Sequence, residues 1–157
     1  MAIAGIVLLL FSGIGIAFIL SREADLSLSR TRAIIELLSF TRNSVGMYSM
    51  SASEILQAFG AEKIRKCGYP DENAFPQSFF EMSENCVIPD AECRDTFLNF
   101  SRGFGQGYRQ QEVQRCEEYI ERLRKKESEQ ASALAAKKKM IFGVSIGATL
   151  ILLILLL

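Results

Sequence analysis

The chain has 157 residues, 49% of them hydrophobic, and its 18 Lys and Arg balance its 18 Asp and Glu. That length suggests a single domain. The absence of any His removes the commonest general base, and with it the Ser-His and Cys-His arrangements of nucleophilic enzymes. The even charge balance conceals a segregation, because every charged side chain lies between Arg22 and Lys139. A soluble domain of this size would spread its charges to both ends, so the pattern is that of a membrane protein.

Residues 1–20 carry no charge. As a helix they would span roughly 30 Å, close to the hydrocarbon thickness of a bilayer. A helix is the open structure that satisfies its own backbone in lipid, so a membrane helix is expected here. Gly5, Gly13 and Gly15 do not argue against it, since Gly is more frequent in membrane helices than in soluble ones. A cleaved signal peptide is the competing reading. No basic residue precedes the apolar stretch and no clear small-x-small site precedes Arg22, which favours a retained anchor.

The next helix is expected from about Leu28 to Tyr48 and can run on from the membrane segment. Ile34, Leu37, Leu38, Thr41, Val45 and Tyr48 follow steps of three and four, giving one adhesive face. Ser51-Ala52-Ser53-Glu54 fits a capping box and starts a short helix carrying Ile55, Leu56 and Phe59. Gly60 interrupts it, Ala61 to Cys67 can hold another turn or two, and Gly68-Tyr69-Pro70-Asp71 breaks the chain. Phe75 to Asn85 reads as a helix with Pro76 in its first turn and Phe79, Phe80 and Met82 as its apolar payload. Pro89 opens another, with Asp90 and Glu92 at the positive end of its dipole. Cys93, Phe97, Phe100 and Phe104 form its stripe, and Gly103, Gly105 and Gly107 end it.

The last soluble helix is expected from about Arg109 to Lys139, roughly 46 Å if unbroken. Val113, Cys116, Ile120 and Leu123 form a stripe that turns polar through Glu127 and Gln130. The first half should therefore pack on the bundle, and the second half should stand exposed between bundle and membrane. Glu118–Arg122 and Glu121–Lys125 are favourable i,i+4 pairs. Residues 140–157 are again free of charge, roughly 27 Å of helix, with Gly143-x-x-x-Gly147 matching the small-xxx-small packing pattern. Arg22, Arg30 and Arg32 follow the first apolar run and Lys137, Lys138 and Lys139 precede the second. The positive-inside rule then puts the middle in the cytoplasm and both termini outside. No stretch alternates with a period of two. The expected fold class is all-α, an antiparallel helical bundle of four to six helices flanked by N- and C-terminal transmembrane helices. Its divisions are 1–20 and 140–157 in the membrane and 21–139 as the cytoplasmic bundle.

Little chemistry is expected. Cys67, Cys86, Cys93 and Cys116 make no CxxC pair, so a zinc site is not expected, and in a reducing cytoplasm neither are disulfides. Cys93 and Cys116 read as small core residues. There is no Walker A sequence, and Gly103-Phe104-Gly105-Gln106-Gly107 follows no strand, so it reads as a turn between helices. Glu117, Glu118, Glu121, Glu127 and Glu129 surround the basic cluster of Arg122, Arg124, Lys125 and Lys126, which makes a solvated face rather than a nucleic-acid site. Asn99-Phe100-Ser101 matches the glycosylation acceptor pattern but should face the cytoplasm. The apolar runs hold no ionisable group, which weakens a transporter reading. No cofactor, metal or enzymatic activity is expected. What remains is a domain for protein contacts, possible as part of an oligomer.

Several stretches resemble the stage III sporulation protein AB family of endospore-forming bacteria. They are Phe100 to Arg109, the charged helix with Cys116, Tyr119, Ile120 and Leu123, Lys137-Lys138-Lys139 with the leucine-rich tail, Phe40-Thr41-Arg42 through Val45, Met47-Tyr48, and Glu54-Ile55-Leu56. The chain departs from the better-known members at Tyr108, Glu112 and Ser51, where they tend to have Asp, Gln and Pro, as a divergent clostridial-type member would. The resemblance implies a cytoplasmic helical domain like that of type II secretion and pilus platform proteins. It also implies a place in the mother-cell membrane, within the complex joining mother cell and forespore. The implied partners are a secretion-type ATPase in the cytoplasm and ring-forming subunits in the membrane. Glu54, Arg102 and Arg109, charges at helix ends near turns, are the candidate ATPase-docking residues. A platform subunit of a type II secretion or pilus system, and a small membrane channel or transporter subunit, are the alternatives.

Overall fold

The computed structural model describes the backbone of residues 2–48, 50–72 and 74–156, and the side chains of 22–48, 50–72, 74–140 and 143–144. Among the described residues there are six helices and no strand, so the fold is all-α: α1 Ala2–Tyr48, α2 Ala52–Phe59, α3 Ala61–Lys66, α4 Phe79–Asn85, α5 Ala91–Gly103 and α6 Arg109–Leu156. No helix of the described residues is long and apolar enough to cross a membrane. The two expected spans, 1–20 and 140–157, lie almost wholly outside the residues whose side chains are described.

The long helices α1 and α6 pair antiparallel, and their contacts fix the register. Gly46 faces Val113, Arg42 lies 3.9 Å from Glu117, Arg32 lies 2.7 Å from Glu127, and Asp25 lies 3.1 Å from Lys138. From Gly46 to Arg32 each step back along α1 is matched by a step forward along α6, and Lys138 reaches Asp25 from about one turn further on. The far end of the bundle is where α1 stops and α6 starts. The short helices pack along the side of this pair: α3 lies beside Glu36 and Arg30 of α1, and the start of α5 beside Lys126 of α6.

The core is built as the periodicity predicts. Ile34, Leu37, Leu38, Thr41 and Val45 of α1, Ile55, Leu56 and Phe59 of α2, and Cys116, Ile120 and Leu123 of α6 are all buried. Phe100 is its centre, with ring centroids 5.7 Å from Phe79, 5.5 Å from Phe104 and 5.6 Å from Tyr119. Such tilted and edge-on pairs add stabilisation beyond the area they bury. The antiparallel run of α2 back along α1 is fixed by Phe59 against Phe40, at 5.5 Å. Lys126 of α6 holds the start of α5 through Asp90 and Glu92, at 3.4 and 2.6 Å, while Gly103 at its other end sits against Arg115. So α5 runs antiparallel to α6.

Five local expectations are corrected. The helix expected from Phe75 starts at Phe79, because Ser78 caps it by accepting the Glu81 N–H at 3.1 Å while Gln77 N–H donates to the Glu81 carboxylate at 2.8 Å; Pro76 is buried in the connector. Phe80 is exposed and Ser83 takes the inward position. Pro89 precedes α5 instead of opening it, and Asp90 is the cap, accepting the Cys93 N–H at 2.8 Å. Tyr48, at the last turn of α1, points out of the adhesive face.

The fifth correction concerns the second half of α6, which does not stand apart. It stays on α1 through polar groups. The buried Thr31 hydroxyl donates to Gln130 Oε1 at 2.9 Å, Gln130 Nε2 donates to Ser27 Oγ at 3.2 Å, and Leu134 is buried beyond them.

Candidate docking surface

The topology brings Glu54, Arg102 and Arg109 to the same far end of the bundle. Glu54 lies in the first turn of α2, just after α1 has ended; Arg102 lies in the last turn of α5; Arg109 opens α6. All three are exposed. Their chemistry differs. The Glu54 carboxylate is engaged locally, accepting from the Ser51 backbone N–H and from the Ser51 hydroxyl, each at 2.7 Å. Those bonds, the backbone one first, hold its carboxyl below the usual carboxylate range. It is the acid of a complete capping box. The Arg102 and Arg109 guanidinium groups have no hydrogen bond or ion pair among the described residues, so both are available to an incoming anion.

Around Arg109 the surface is apolar to a degree the sequence did not signal. Met47 is 71% exposed, Tyr48 73% and Tyr108 85%. Between the end of α1 and the start of α6 an open groove of about 640 Å³ is lined by Gly46, Arg109, Gln110, Val113, Gln114 and Glu117. Exposed tyrosine, methionine and arginine are the residue types enriched at protein interfaces. Periodicity missed this because it assigned Tyr48 to the core.

The turn that presents Tyr108 and Arg109 is held rigidly. Glu112 is only 4% exposed. Its carboxylate accepts from the Gly107 N–H at 2.8 Å and from Arg115 at 3.2 Å, which compensates its burial. Gln111 accepts the Tyr108 N–H at 3.0 Å. Thus Tyr108 and Arg109 project from a braced loop rather than a loose one.

The four cysteines are buried and unpaired. Burial pushes the Cys86 and Cys116 thiols up to about 12 and Cys93 to about 11, and raises Cys67 as well. All four are therefore neutral core side chains at physiological pH. Among the described residues, no group of three Cys, Asp or Glu side chains could hold a metal ion. No family model matches the chain, and neither does any curated protein or solved structure.

Proposed function

We propose that this chain is a non-enzymatic platform subunit, held in a bilayer by both ends, whose far end docks a cytoplasmic partner. One observation supports the reading most. The Asp25–Lys138 pair, at 3.1 Å, brings the last charged turn of α6 level with the first of α1, so both charge-free segments depart from the bundle at the same height and in the same direction. A single bilayer can then take both. The basic residues on the inner flanks of both segments favour a cytoplasmic bundle.

At the opposite end lie the unpaired Arg102 and Arg109 and the exposed Met47, Tyr48 and Tyr108. On the resemblance to stage III sporulation protein AB, the partner is a secretion-type ATPase. The assembly is then the mother cell–forespore channel complex needed for endospore formation, with ring-forming subunits beside the membrane helices. Glu54 belongs to this reading only through its position, since its carboxylate is occupied by Ser51.

The test is co-purification of the full-length chain in detergent from sporulating cells, with the retained ATPase identified by mass spectrometry. Arg102→Glu with Arg109→Glu should reduce retention at least about tenfold, as for charges at the centre of an interface. Undiminished retention would remove these residues from the docking surface, and absence of the ATPase from the wild-type preparation would remove the partner.

A further inference from the structure

We infer that the level where α1 and α6 leave the bundle is a binding collar for anionic phospholipid headgroups, a property that rests on the membrane-held reading above. Lys138 faces α1 and is neutralised by Asp25. Its neighbours Lys137 and Lys139 are each rotated about 100° around α6, one on either side of that pair, and both are exposed. Arg22 lies three residues before Asp25 on the same face of α1, toward the charge-free segment, and is exposed too.

Arg22, Lys137 and Lys139 have no hydrogen bond or ion pair among the described residues. Four cations and two anions, Glu23 and Asp25, occupy this level, which leaves a positive surplus that nothing in the bundle neutralises. Flanking this level, Leu26 is 45% exposed on the bundle side, and Met140 and Val144 are 65% and 61% exposed toward the charge-free segment, roughly 3 and 9 Å beyond Lys138 along α6. Cations without partners interleaved with uncovered apolar side chains match the headgroup boundary, where ammonium and guanidinium groups reach phosphate while their stems stay in the apolar layer. A nucleic-acid phosphate would satisfy the cations but leave these apolar side chains in water, so the lipid is the better fit.

The full-length chain, reconstituted into nanodiscs of equal parts phosphatidylcholine and phosphatidylglycerol, tests this by native mass spectrometry of the lipids that stay bound on release. Phosphatidylglycerol should be retained about fivefold over phosphatidylcholine, the scale expected for one Lys or Arg contact per retained headgroup. The enrichment should fall to parity in Arg22→Gln/Lys137→Gln/Lys139→Gln, which leaves the Lys138–Asp25 pair intact, and also for the wild type in high salt. Wild type that inserts but retains the two lipids equally overturns the collar and leaves the membrane reading standing. Displacement of the lipid by inorganic phosphate at millimolar concentration also overturns it, because the site would then be a free-phosphate site. A chain that takes up no lipid of either kind overturns both.

Discussion

Gly68 has φ +106°, and a Cβ built there would lie 2.7 Å from the Val87 carbonyl oxygen, which cannot yield because Val87 N–H donates to Gly68 O at 2.9 Å. Gly60 has φ +92° with open space around it. Gly68→Ala should therefore cost roughly 2–4 kcal/mol, combining strain and clash, and Gly60→Ala only about 1–2 kcal/mol from strain. Urea unfolding of the full-length chain in detergent checks this, and equal losses would contradict it. At Glu54 the prediction concerns pH. Its folded pKa lies below the unfolded value, so its contribution is fully present above the ordinary carboxylate range and is lost as pH falls through the folded pKa. Glu54→Gln should melt below wild type near neutral pH, and the two curves should converge in acid. The capping box itself was legible because Ser51 and Glu54 are neighbours in the chain. The constraint on Gly68 was not, because its cause is a strand of backbone that only folding brings near.

The short helices were read well from their caps and glycines, and α4 shows how such a reading goes astray. Pro76 suits a first turn by its fixed φ, but Ser78 with Glu81 offers a hydrogen-bonded start that Pro76 does not, and the cap decided the boundary. The second half of α6 is the larger lesson. Pattern reading sends polar side chains to water, yet Thr31, Gln130 and Ser27 satisfy one another between two helices. Their seam is testable by a double-mutant cycle of Thr31→Val and Gln130→Ala. Each alone should cost about 1 kcal/mol, and the double mutant should cost at least about 0.5 kcal/mol less than their sum because they share a bond. Arg32→Ala should cost less than about 1 kcal/mol, since Arg32 is mostly exposed and its partner Glu127 half-buried at the surface. Additive losses at Thr31 and Gln130 would show that the seam is not a coupled unit.

At the scale of the whole molecule, the all-α class followed from periodicity, because a helix with one apolar face has to bury it; the pairing of α1 with α6 did not, because periodicity does not say which helix covers which face. The far-end surface did not, because exposure of Tyr48 and Tyr108 depends on where α1 stops relative to α6, a tertiary property. The central claim, a bundle held on the inner side of a bilayer by both ends, is tested most directly by labelling intact cells with a membrane-impermeant maleimide. The four native thiols are buried and neutral, so single introduced cysteines can be read against a low background. Asn99→Cys, on the exposed side of α5, should react only after the cells are permeabilised, whereas Ala2→Cys should react from outside. Labelling of Asn99→Cys in intact cells would contradict the account.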